Sequence, residues 1–226
     1  MARQLVFELG HRPAFGREDF LVARSNVAAV ALIDSWPAWS GSAVLLSGPP
    51  GSGKTHLAEV WRKKAQAQRM EAPALETAEI PALIAGGALI VENLGEMSDA
   101  TERALFHLLN LTAQDGAFLL LTSREAPGHL AVRLPDLASR LRALPHAALG
   151  PPDDALLSGI LVKLFDDRQL RVPEMLITYI AARIERSVAA ARDVVAAIDR
   201  ASLSGKRPIT VPLAAEVLAG QGEMDI

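Results

Sequence analysis

Eight consecutive residues, Gly48, Pro49, Pro50, Gly51, Ser52, Gly53, Lys54 and Thr55, spell G-x-x-x-x-G-K-[ST]. At average residue usage a chain of 226 residues would hold this pattern by chance about once in a hundred cases. The residue types name a chemistry. Glycines let the backbone come close to a phosphate with successive N–H groups turned toward it. A helix opening at His56 presents unpaired amides and a positive dipole end to the same anion. Lys54 then reaches the outer phosphates, and the Thr55 hydroxyl holds Mg²⁺. The stretch from Gly48 to His56 is therefore expected to bind ADP or ATP with Mg²⁺.

Three further groups could join that site. Glu92 and Asn93 end the apolar run Ala88–Val91, and in phosphate-loop proteins a carboxylate at such a strand end, usually Asp, accompanies the metal. The alternative for Glu92 is a strand-end side chain facing solvent. Thr122, Ser123 and Arg124 end a second apolar run, Ala117–Leu121, and polar side chains there border the ligand crevice of open α/β sheets. Arg140 lies in Pro135–Arg142; taken alone it is a surface charge.

The elements that must position these residues can be read from patterning. Ala43–Leu46 is a short buried-type strand before the loop, and residues 56–70 are helix-compatible throughout. Phe20, Leu21 and Val22 precede Asn26, a helix cap or turn residue, and a helix follows from Val27 to Trp36. Residues 71–76 read as a short strand and 77–85 as a short amphipathic helix. Asp99 and Glu102 have capping-box spacing before a helix with Leu105, Phe106, Leu108 and Leu109 on its buried face. Pro151 and Pro152 mark a boundary, after which helices are expected over 155–168, 173–183, 187–202 and 211–219. The expected organisation is an extended segment over 1–13, an α/β nucleotide-binding domain over 14–150 and a helical domain over 151–226.

Composition narrows the function. Residues 1–150 carry 14 basic and 15 acidic side chains and residues 151–226 carry 9 and 11, so charge is evenly spread and no strongly basic face for nucleic acid is foreseen. Arg62, Lys63 and Lys64, next to Arg69, read as the solvated face of a helix. No apolar run approaches the ~18 residues of a membrane span. The chain has no cysteine, and Met1–Leu9 carries Arg3 and Glu8 rather than a leader pattern, so a cytoplasmic protein is expected. In Gln4–Leu9, an extended chain puts Leu5, Phe7 and Leu9 on one side. That segment is either an edge strand or tail, or a peptide docking into a partner.

Taken in this order, the phosphate loop, the Glu92 strand, the polar strand end at 122–124 and the Arg140 segment resemble the AAA+ ATPases of the DnaA type. More narrowly they resemble the Hda-type, DnaA-related regulators that inactivate the bacterial replication initiator. Gln4–Leu9 is similar to a sliding-clamp-binding peptide, Phe20–Asn26 to the adenine-side motif, and Leu134–Leu141 to the arginine-finger segment. The resemblance implies a five-stranded parallel sheet with flanking helices and a small helical lid, with nucleotide between them. It implies contacts from Asn26, Glu92 and Ser123, with metal at Thr55 and Glu92. It implies that Arg140 acts in trans on DnaA, and that Gln4, Leu5, Phe7 and Leu9 tether the chain to the DNA polymerase sliding clamp, its beta subunit. No membrane or strong direct DNA binding is implied, and homo-oligomerisation stays open.

Departures from the family pattern refine these expectations. Glu92 replaces the usual Asp. Asn93 stands where hydrolytic members carry the carboxylate that activates water, so intrinsic hydrolysis should fall by ~10² or more. Arg124 stands where DnaA is acidic, which favours Ser123 or Thr122 as phosphate sensor. Ala189 takes the place of the second-sensor arginine, with Arg186 and Arg192 one helical turn to either side and Arg192 preferred. The competing readings are a DnaA-like initiator, whose family carries a further helix-turn-helix domain, and a helicase-loader ATPase acting by its own turnover.

Overall fold

A computed structural model of the protein describes residues 20–222. Gln4, Leu5, Phe7 and Leu9 lie outside the described residues. The described chain runs α1 (Val27–Asp34), β1 (Ala43–Ser47), α2 (Lys54–Ala65), β2 (Gln68–Glu71), a 3₁₀ turn (Ala72–Thr77), α3 (Ile80–Ile84), β3 (Ala88–Leu94), α4 (Asp99–Asp115), β4 (Phe118–Ser123), α5 (Pro135–Ala143) and β5 (His146–Ala148). Four helices follow: α6 (Asp154–Asp166), α7 (Glu174–Ala181), α8 (Val188–Gly205) and α9 (Val211–Gly222).

The strands form one five-stranded parallel sheet in the order β2-β3-β4-β1-β5. Side chains alternate between its two faces. Val44, Leu46, Ile90 and Leu120 pack against Ile33 of α1 and Leu57, Ala58 and Trp61 of α2. Leu45, Leu89, Val91, Leu119 and Leu121 pack on the other face against Leu105 and Leu108 of α4 and Leu137 and Leu141 of α5. Burial on both faces is why the central strands read as unbroken apolar runs. The carboxyl ends of β1, β3 and β4 share one edge of the sheet, where the loop before α2 begins.

Helices α6–α9 enclose a separate core. Leu157, Leu161 and Phe165 of α6 meet Leu176, Ile177 and Ile180 of α7, Val194, Val195 and Ile198 of α8, and Leu213 of α9. Each such side chain, fully buried, contributes about 1.5–3 kcal/mol. No helix of the described residues is long and apolar enough to cross a membrane.

Three local expectations are corrected. The helix after the phosphate loop stops at Ala65, because Gln66 takes a left-handed conformation (φ 54°) and its N–H caps Arg62 O. Residues 68–71 then form the strand expected at 71–76, and Pro73 sits in the 3₁₀ turn that follows. The cap of α4 is Ser98, whose Oγ accepts from Thr101 N–H at 3.1 Å, not Asp99.

Candidate functional site

The loop between β1 and α2 closes around its own lysine. Lys54 Nζ donates to Gly48 O at 2.7 Å and Pro49 O at 2.9 Å. Burial, then the nearby charge of Arg124, hold the Lys54 ammonium below the usual lysine range, while Glu92 pulls it upward. Gly53 caps α2 in the left-handed region at φ 99°, which turns the first amides of the helix toward the loop. Ser52 is buried, and its hydroxyl has no hydrogen-bond partner among the described residues. An unpaired buried hydroxyl is costly, and a phosphate oxygen is the acceptor that such a loop is shaped to receive. Lys54, Ser52 and the helix amides thus fit a phosphate group.

The loop opens into a cleft shared by the two parts of the molecule. Phe20, Leu21, Asn26 and His56 line one side; Leu156, Ile160, Leu164 and Arg192 of α6 and α8 line the other. Phe20 meets the His56 ring edge-on, with centroids 5.2 Å apart. Asn26 Oδ1 accepts from Ala23 N–H at 2.8 Å and its Nδ2 donates to Leu21 O at 2.9 Å. It is therefore a turn residue that fixes where Phe20 and Leu21 stand. Its polar atoms are spent on that turn, not on a capping bond.

The lid is joined directly to the phosphate loop. Val188 N–H, in the first turn of α8, donates to Gly51 O at 2.8 Å. Gly51 has φ 71°, and a side chain there would place its Cβ 2.6 Å from Ser187 Cβ. Of the arginines flanking Ala189, Arg186 pairs with Asp154 at 2.8 Å, while Arg192 borders the cleft.

At the ends of β3 and β4 the polar residues are already engaged. Glu92 is 2% exposed and forms an ion pair with Arg69 Nε, electrostatic in character and without hydrogen-bond alignment. Asn93 bulges out of β3 at φ 59°; its N–H donates to Thr122 Oγ1 at 3.1 Å and its Nδ2 to Glu71 Oε2 at 2.7 Å. Ser123 Oγ donates to Glu125 O. Strand alternation puts Thr122 on the face of Leu120, toward α2, and Ser123 on the opposite face. Thr122 is thus the strand-end hydroxyl on the α2 side. Thr55, one residue into α2, is exposed.

Arg140 lies on the sheet face opposite α2. Its guanidinium is exposed and stacks over the Phe106 ring at 5.0 Å. It is not part of the cleft. The helix carrying it is set in place by Glu102, a buried carboxylate accepting from Arg133 N–H at 2.9 Å and Leu134 N–H at 2.8 Å.

With this geometry, residues 157–218 match the family model for the lid domain of Hda. The initiator protein DnaA of Lactiplantibacillus plantarum is 23% identical over 234 residues, covering 91% of this chain and 50% of that protein. A Haemophilus influenzae protein is 26% identical over 187 residues, 76% of this chain and 79% of its own length. Domain III of Thermotoga maritima DnaA superposes with a TM-score of 0.79 at 17% identity, covering 92% of this chain and 97% of that one. The chain is thus similar to the Hda lid family over 157–218 and to DnaA proteins over most of its length.

The five-stranded parallel sheet with a helical lid is as expected. AMPPCP-bound DnaA from Aquifex aeolicus shares the fold with a TM-score of 0.71 at 18% identity, over 87% of this chain and 68% of that one. The chain spans half the length of the L. plantarum initiator. The tertiary roles of two residues, Glu102 and Arg69, escaped sequence reasoning. Glu102 could have been found, since it lies three and seven residues before Leu105 and Leu109 and so shares their buried helical face. Arg69 gave no such signal, because no glycine marks the end of α2.

Proposed function

We propose that this chain is a nucleotide-binding regulator of replication initiation. In this reading it holds ADP or ATP in the cleft, is tethered to the sliding clamp, and supplies Arg140 in trans to the ATPase site of DnaA. The observation that carries the reading is an asymmetry. The chain's own site has its carboxylate tied to Arg69 and an amide where water would be activated, while a guanidinium stands exposed on the far face of the sheet.

Each group then has a task. Lys54, the Ser52 hydroxyl and the first amides of α2 bind the phosphates, with Lys54 exchanging its loop carbonyls for phosphate oxygens. Phe20, His56, Ile160 and Leu164 exclude water around base and ribose. Arg192 reaches the cleft from the lid. An amide at Asn93 is no general base, which keeps the chain's own turnover low by ~10² or more. The Arg140 guanidinium has paired N–H donors suited to the charge spread over a transferring phosphoryl group, an effect worth about 10³–10⁵ in rate. The segment with Gln4, Leu5, Phe7 and Leu9 is the proposed clamp tether.

The test measures ATP hydrolysis by DnaA with clamp-loaded DNA. Arg140→Ala is expected to retain ADP binding and clamp recovery while losing the stimulation of DnaA. Unchanged stimulation would remove the trans role. Equal clamp recovery by a chain lacking residues 1–9 would remove the tether.

A further inference from the structure

The cation expected beside the nucleotide is Mg²⁺, and the donor set fits it poorly. Glu92, the carboxylate at the end of β3, is 2% exposed and already faces Arg69 Nε. The pairing follows from the sheet. Arg69 of β2 is in register with Ile90, so its side chain shares the face of Ile90 and Glu92, one diagonal step away. Lys54 feels the Glu92 charge from the loop side. One buried carboxylate therefore already has a guanidinium paired with it and a second cation near enough to feel its charge. A small divalent ion demands near-octahedral oxygen ligands and would bring its charge against both. Asn93 Nδ2 is turned to Glu71, and among the described residues no three His, Cys, Asp or Glu side chains group as metal ligands.

We propose that the Arg69 guanidinium takes the electrostatic place of Mg²⁺, so that this site binds a nucleoside diphosphate independently of a divalent metal. A buried carboxylate needs a counter-charge, and a guanidinium supplies one that neither dissociates nor titrates. With Glu92 neutralised, Lys54, the Ser52 hydroxyl and the α2 amides face the phosphates without an opposing negative charge. Removing Arg69 leaves Glu92 bare beside the phosphates and gives Mg²⁺ a ligand. The inference rests on the nucleotide-binding reading above.

The experiment titrates ADP by calorimetry into the full chain and into Arg69→Met, each with Mg²⁺ and with EDTA. Wild type is expected to change its Kd by less than about threefold between the two conditions, below the usual range of a coupling between ligands. Arg69→Met is expected to lose about tenfold or more in EDTA and to recover it with Mg²⁺. A tenfold Mg²⁺ dependence in wild type, or an Arg69→Met chain as indifferent to Mg²⁺ as wild type, overturns the proposal. Failure of wild type to bind ADP in either buffer overturns the nucleotide reading instead, and thermal melting then judges the pair. Arg69→Met should lower Tm and the double variant Arg69→Met/Glu92→Gln should regain part of it. Additive losses would overturn the claim that Arg69 neutralises Glu92.

Discussion

Glu102→Ala is predicted to destabilise the protein by about 2–4 kcal/mol and to weaken the proposed action of Arg140 without touching it. The buried carboxylate accepts from the Arg133 and Leu134 amides at 2.8–3.1 Å, immediately before Pro135 opens α5. Hydrogen bonds to a charged group are worth about 1.5–3 kcal/mol each, so two give roughly 3–6 kcal/mol gross. Deletion also relieves the desolvation of the carboxylate, which brings the net loss down to about 2–4 kcal/mol. Glu102→Gln keeps one acceptor oxygen and should lose about half as much. Asp99→Ala serves as control. Its bond to Arg133 Nη1 is 2.8 Å long, but the two side chains are 62% and 75% exposed, and such pairs contribute about 0–1 kcal/mol. Urea unfolding supplies the three numbers. At a temperature where the Ala variant remains folded, stimulation of DnaA should drop while ADP affinity holds, because α5 frays but the cleft is on the other face. A loss below about 0.5 kcal/mol for Ala, or equal losses for Ala and Gln, would refute the assignment.

Gly51→Ala should loosen the lid rather than unfold either core: left-handed backbone costs Ala about 1–2 kcal/mol, and the added Cβ would lie 2.6 Å from Ser187 Cβ. Limited proteolysis near 150–154 should accelerate, and Gly51→Ala/Ser187→Gly should recover the steric part only; an unchanged digestion rate would contradict the latch. Glu76 accepts from Ser98 Oγ and Thr101 Oγ1, and these bonds hold its carboxyl below the usual 4.5. A lowered carboxylate pKa contributes stability that is present above 4.5 and lost as pH falls through the folded value. Glu76→Gln should therefore flatten the acid limb of the stability profile, and an unaltered limb would count against it. Phe165→Ala, which empties the centre of the lid core, should cost about 3–5 kcal/mol by urea unfolding, with a cost under 1 kcal/mol marking that core as loosely packed.

Much of the molecule was legible without coordinates because the signals are local. Gly48–Thr55 prescribes a phosphate loop, since only glycines allow that backbone and only a following helix supplies its amides. The runs Ala43–Leu46, Ala88–Val91 and Ala117–Leu121 declare buried parallel strands, and the four helices after Pro152 declare a second core. What tertiary structure alone decided is where charges meet. Arg69 read as one more cation on a solvated helix, and became the partner of Glu92 only because Gln66 ends α2 early and the sheet lays β2 beside β3. Asn26 was visible as a turn or cap residue, but the choice between them depended on bonds to Leu21 and Ala23. Strand order, the contact of Gly51 with the start of α8, and the separation of Arg140 from its own loop depend on contacts distant in sequence. Local propensity carries no information about those, and the packing of two sheet faces and a lid does.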